Sequence, residues 1–242
     1  LELYLPIFSV ACGAAFTVGH LGQSLDACIA TRSGDSCHVT GRENILHLHR
    51  MRALSDAIIV GAETVAADDP QLTTRLVPGD NPVRVVLDPS RRLEPHFKVF
   101  TDGAAETLLV WGEDHDTGPT RHGQAQIMRV RKTGGRLDLT DLLDKLLGCG
   151  LWIRFIEGGG VTVSSFLRAG LLDRLQVAVS PVIIGNGRAG LQLPPSEAMG
   201  DCLRLRHRLF RLGEDILFDC EPTDAGSHGA EQQRSMGIER VL

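Results

Sequence analysis

The stretch SDAIIVGAETVAADDPQLTTR, Ser55 to Arg75, decides how this chain is read. Its residues 57–60 are a short apolar run that suits a buried strand. The run stops at Gly61, where backbone can approach a ligand closely with no Cβ in the way. A short helical stretch carrying Thr64, Asp68 and Asp69 follows, then Pro70, and then Leu72 and Arg75. A strand that ends on glycine and feeds a polar helix commonly presents the carboxyl edge of an open α/β sheet to a ligand. Local physics defines a ligand edge here and leaves the ligand open.

A second junction of the same kind lies further on. A strand over 152–156 ends at Glu157-Gly158-Gly159-Gly160, and a helix follows over about 161–169. Bare N–H groups at a helix start suit phosphate, and Ser164 and Ser165 add hydroxyls. Glycine clusters at such turns are as often plain tight connections. The pattern is not G-x-G-x-x-G, so a standard Rossmann fingerprint is not supported. A first strand over 16–21 ends likewise at Gly22 to Asp26, where Asp26 reads equally as a turn-forming carboxylate. Inside that strand, His20 reads more readily as a packed, hydrogen-bonded residue than as a catalyst. Arg52 and Arg75 bracket the opening stretch, and the planar fork of arginine suits phosphate. A surface arginine is usually only a solvated charge.

Further strands are expected over 83–87, 107–111, 126–130 and 177–184, a helix over 139–147, and a closing antiparallel hairpin from 203–212 and 216–220. Thr40 and Glu43 have the spacing of a capping box for a helix with Ile45, Leu46, His49 and Ala53 in one stripe. That stripe leaves His47, Arg50 and Arg52 on other faces. Residues 1–15 read as an arm packed on the domain or on a second subunit, 16–220 as the main domain, and 221–242 as a polar, loosely docked tail. The loop 111–124 reads as exposed.

A net charge of −5 with no dominant basic run argues against a general nucleic-acid or membrane-surface binder. The six cysteines never form C-x-x-C, and the nine histidines never form H-E-x-x-H or H-x-E. No metal is expected from that spacing, and a reduced, cytoplasmic setting is the simplest reading. The apolar start is too short to span a bilayer and lacks a basic signal-peptide start.

Four blocks together resemble the reductase domain of bacterial riboflavin biosynthesis. They are Ser24-Leu25-Asp26 with Ile29-Ala30 and Ser33-Gly34-Asp35-Ser36; Arg52-Ala53 through Gly61-x-x-Thr64 to Asp68-Asp69-Pro70-x-Leu72-Thr73; Glu157-Gly158-Gly159; and Gly170-Leu171-Leu172-Asp173 with Ser180-Pro181-x-Ile183-Ile184-Gly185. The resemblance implies an α/β, dihydrofolate-reductase-like three-layer fold with a mixed, mostly parallel sheet. It implies NADPH-dependent reduction of the ribosyl group of 5-amino-6-(5-phosphoribosylamino)uracil, and commonly a homodimer. By position it implies substrate contacts at Ser36, Arg52, Leu72, Arg75 and Glu157. It implies cofactor contacts at Gly22, His38, Thr64 and Asp68 and along Gly159, Gly160, Val161, Thr162, Val163, Ser164 and Ser165. Asp68 and His20 are the polar groups expected nearest the chemistry.

Two positions depart from that family: lysine is usual where His20 stands, and glycine where Ala27 stands. The departures keep open a same-fold reductase of another pyrimidine or a pterin-like compound, and a non-catalytic nucleotide-binding protein. The H-x-E and P-C-x-x-C patterns of the zinc deaminase that often accompanies such reductases are not found in these 242 residues.

Overall fold

The computed structural model describes residues 2–10, 13–37, 39–113 and 118–222. Its strands are β1 Phe16–Ser24, β2 Cys28–Ala30, β3 Ala57–Gly61, β4 Val83–Leu87, β5 Thr107–Gly112, β6 Arg121–His122 and β7 Ala125–Val130. They continue with β8 Lys132–Thr133, β9 Arg136–Leu137, β10 Ile153–Glu157, β11 Arg174–Ser180, β12 Arg188–Ala189, β13 Arg206–Leu212 and β14 Asp215–Glu221. The helices are α1 Leu5–Phe8, α2 Arg42–Ala53, α3 Ala62–Asp68, α4 Lys98–Thr101, α5 Leu139–Gly148 and α6 Gly160–Arg168.

Ten strands form one sheet in the order β13-β14-β11-β1-β10-β3-β4-β5-β7-β6. The seven from β11 to β7 run parallel, and β14 and β13 close one edge as an antiparallel hairpin. Parallel strands covered on both faces need no polar side. β3 shows this: Ala57 and Ile59 join the core under α5 and α6, while Ile58 and Val60 join the opposite core with Met51, Val65 and Phe100. The result is the three-layer α/β architecture with the expected closing hairpin.

Several local expectations are corrected. The strand expected over 177–184 runs earlier, as β11, and the chain leaves it at Pro181, which has no N–H for a ladder. The capping box at Thr40 does not form: Gly41 is the N-cap of α2 with no side-chain cap bond, and Thr40 Oγ1 instead accepts from Asn44 Nδ2 at 3.0 Å. The N-terminal arm makes one helical turn, α1, and sets Leu3 against Ala178 and Leu217, so it packs on this domain. Trp111, expected as the last residue of the strand 107–111 and the first of an exposed loop, lies in β5 and is buried, and residues 114–117 of that loop lie outside the described residues. So do residues 223–242 of the expected tail, whereas Glu221 closes β14.

The largest difference concerns α2. Its buried residues are Asn44, His47, His49, Met51 and Arg52, while Ile45 is exposed. The cause is what lies beneath. His20 on β1 is in register with Glu157 on β10 and Gln176 on β11, so three polar side chains form a row across adjacent strands. Each is met by one polar side chain of α2: Asn44 on His20, His47 on Gln176 and Arg52 on Glu157. A buried polar group must be paired, and here the helix supplies a partner for each, with Asp219 of β14 also accepting from Gln176 Nε2 at 3.4 Å.

Candidate active site

The carboxyl ends of β1, β3, β4 and β10 open into one cleft of about 1280 Å³. Its floor is bare backbone. Gly158 and Gly159 hold φ of 75° and 58°, a region that favours glycine, and α6 begins directly after them. A Cβ at Gly160 would collide with the Gly190 carbonyl. One at Gly22 would stand 2.8 Å from Thr40 Cγ2, and one at Gly61 2.6 Å from Thr162 Oγ1. Two strand-to-helix junctions, at Gly61 and at Gly159, thus converge on one space.

The sequence-expected residues divide. His20, Gly22, Ser36, Thr64, Asp68, Glu157, Gly159, Gly160, Val161, Thr162, Ser164 and Ser165 line the cleft. Val163 does not; it faces the core under α6, because only one side of a nine-residue helix can meet the cleft. Ser164 Oγ accepts from Gln192 N at 2.7 Å, and Ser165 Oγ donates to the Val161 carbonyl at 2.8 Å, so both hydroxyls already serve the scaffold. Leu72 is buried in the core at φ 54°, and with Asp69 at φ 39° it makes 69–72 a strained segment. His38 lies outside the described residues.

Arg52 is buried and committed. Its Nε donates to Glu157 at 2.8 Å, Nη2 donates to the other carboxylate oxygen, and Nη1 donates to the Thr73 carbonyl at 3.0 Å. Burial works against its charge, and the Glu157 carboxylate outweighs that, raising its pKa. Arg52 therefore fixes Glu157 at the cleft wall rather than facing the cleft itself. Arg75 is exposed beside this pair, its Nη1 on Thr73 Oγ1 at 3.2 Å and its backbone N–H on His49 Nδ1 at 3.1 Å.

His20 is buried, with Nε2 3.1 Å from Asn44 Oδ1. Burial pushes its pKa down to about 4, the Asn44 hydrogen bond acting the other way, so it carries no charge at neutral pH. Asp68 has its pKa raised by the cleft walls around it, with Arg188 pulling it back. Asp26 resolves as the turn-forming carboxylate. It accepts from Ser24 Oγ at 2.6 Å, Ile184 N at 3.1 Å and Gly185 N at 2.6 Å, and these bonds, Ser24 first, hold its pKa down to about 2.

Sequence reasoning missed Asn44, Thr40, Arg92, Lys132, Arg136 and Arg188, all of which line the cleft. Arg188 comes from β12, paired to β2, and a Cβ at Gly34 would stand 2.8 Å from its Nη2. No local pattern announces it. For Asn44, the four-residue spacing from Thr40 was the available signal.

Fold and cleft define an α/β domain that takes a ligand at the carboxyl edge of its sheet. Residues 17–218 match the RibD C-terminal domain, and the chain belongs to that family. The 2,5-diamino-6-ribosylamino-4(3H)-pyrimidinone 5′-phosphate reductase of Methanothermobacter thermautotrophicus is 38% identical over 213 residues, 84% of this chain and 96% of that one. Riboflavin biosynthesis protein RibD of Aquifex aeolicus is 31% identical over 197 residues, 81% of this chain and 54% of that one. The crystal structure of the Thermotoga maritima diaminohydroxyphosphoribosylaminopyrimidine deaminase/5-amino-6-(5-phosphoribosylamino)uracil reductase matches with a TM-score of 0.74 at 25% identity, covering 91% of this chain and 60% of that one. The chain thus spans little more than half of these two bacterial relatives and nearly the full length of the archaeal one.

Proposed function

We propose that this chain is an NADPH-dependent oxidoreductase that reduces the ribosyl group of a 5′-phosphorylated ribosylaminopyrimidine to a ribityl chain. The observation that carries the reading is the convergence of Glu157, Asp68, Thr64 and the bare 158–160 backbone on one cleft. The cofactor fits that floor: the backbone of 158–160 lines the cleft with no side chain of its own, and the start of α6 suits a pyrophosphate. Thr64, Gly159, Gly160 and Thr162 would hold it, with Arg92 and Arg188 available to its phosphates. When bound, the nicotinamide supplies the hydride for C1 of the ring-opened sugar.

The chain's own residues bind, orient and protonate. Glu157, held by Arg52, accepts from sugar hydroxyls, and Arg75 beside it receives the 5′-phosphate. The Asp68 carboxyl, with its raised pKa, supplies the proton that balances the hydride, and neutral His20 hydrogen-bonds the sugar.

The diamino ring is the favoured substrate, because the relative matched over nearly its full length is named for it. The uracil ring is the second reading, supported by the Thermotoga relative. Incubation of the purified chain with NADPH and each pyrimidine, following NADPH absorbance, tests both; turnover of neither removes the assignment. A cytoplasmic homodimer accompanies this reading, supported by the absence of disulfides among the described cysteines and by exposed Leu5 and Phe8 on the arm. Light scattering that returns a monomer mass removes the dimer.

A further inference from the structure

We propose that Asn44 is a positioning residue of the active site. Anchored by Thr40, it fixes the tautomer and orientation of the buried His20 imidazole at the cleft wall, so that the ring meets the sugar through Nδ1 as a hydrogen-bond acceptor. The inference rests on the reductase reading and goes beyond it.

The geometry is a chain of three side chains, all of which line the cleft. Thr40 Oγ1 accepts from Asn44 Nδ2 at 3.0 Å, which turns Asn44 Oδ1 toward His20 Nε2 at 3.1 Å. An amide oxygen only accepts, so Nε2 of His20 carries the proton and Nδ1 is left as the ring's acceptor. A sugar hydroxyl can donate to such a nitrogen; a lysine at the same place could only donate. The wider surroundings favour the same state. His47 of α2 lies with its ring 5.6 Å from that of His20, accepts from Tyr4 Oη at 3.0 Å through Nδ1, and donates to Gln176 Oε1 at 2.8 Å through Nε2. A proton added to His20 would oppose any charge on His47, whose pKa burial and His20 together push down to about 3.

The groups facing His20 come from every neighbouring element. Asn44 and His47 come from α2, Phe155 and the register partner Glu157 from β10, uncharged Gln176 from β11, and Tyr4 from the arm through His47. Glu157 is the one carboxylate among them, and Arg52 occupies it. Behind Gln176, Asp219 of β14 is engaged by Arg174 and Arg208.

The test is NMR titration of His20 with steady-state kinetics on the full chain, in the wild type, Asn44→Asp and Thr40→Val. A carboxylate at position 44 is expected to raise the His20 pKa by about 1–3 units, and the acid limb of kcat/KM moves with it. Thr40→Val removes the anchor without adding charge and is expected to lower kcat about tenfold or more with KM for NADPH unchanged. His20 titrating as in the wild type in Asn44→Asp overturns the proposal, and so does an unchanged kcat in Thr40→Val. If Asn44→Asp does not fold, Thr40→Val decides. The NMR readout needs no turnover, so a chain that reduces neither pyrimidine sinks the reductase reading, whereas an unmoved His20 sinks this one.

Discussion

Arg52 closes on Glu157 through two nitrogens while its third binds the Thr73 carbonyl, so the cation and the carboxylate are each other's solvent. Arg52→Met strands a carboxylate that is nearly buried. It is expected to cost about 3–5 kcal/mol in urea unfolding and to abolish substrate saturation. A loss below about 1 kcal/mol, the size of an exposed pair, would show that water replaces the arginine.

Arg75→Ala should behave differently, since this side chain is exposed and hydrogen-bonds the Thr73 hydroxyl. Stability is expected to hold. KM for the 5′-phosphorylated pyrimidine should rise roughly 10- to 100-fold, the worth of a hydrogen bond to a charged group, with KM for NADPH unmoved. Equal effects on both ligands would take the phosphate away from Arg75.

Ala27 sits at φ 63°, where a Cβ is strained and glycine is not. Ala27→Gly is expected to stabilise the chain by about 0.5–1 kcal/mol, the strain relieved less the added freedom of the unfolded glycine. Thermal unfolding with unchanged kinetics checks it; a lower Tm would mean the turn holds no strain.

Gly160→Ala pushes a methyl into the Gly190 carbonyl at the start of α6. A loss of about 1–3 kcal/mol is expected as the 185–190 loop is displaced. NADPH fluorescence titration should weaken with it. Wild-type affinity in a folded variant would place the cofactor elsewhere.

His20 and His47 fix the sign of the pH dependence. Their folded pKa values, about 4 and about 3, lie below the ordinary 6.5, so between those limits the unfolded chain binds more protons than the folded one. Stability is full above pH 6.5 and falls as pH drops through that window. Urea midpoints compared at neutral and mildly acidic pH measure it, and His47→Gln should shallow the slope. A midpoint that rises on acidification would mean that the two rings are charged when folded.

How much of this was legible beforehand depends on where the partners lie. The run 57–60 announced β3 because a strand covered on both faces is apolar throughout, and Glu157-Gly158-Gly159 announced its turn because only glycine accepts that backbone. The inner face of α2 did not read as buried. Asn44, His47 and Arg52 are polar, and what covers them comes from β1, β10 and β11, remote in sequence. The cleft side of α6 was legible as a stretch but not residue by residue, so Val163 was included with its neighbours although it points into the core. Arg188 reaches the cleft only because a two-residue strand pairs with β2, which no periodicity reveals.

The row Gln176, His20 and Glu157 has one further consequence. Its members belong to three strands, and one helix reads all three at once. A replacement at position 20, 157 or 176 changes what Asn44, Arg52 or His47 must pair with, so substitutions on the sheet are expected to couple energetically to substitutions on the facing helix.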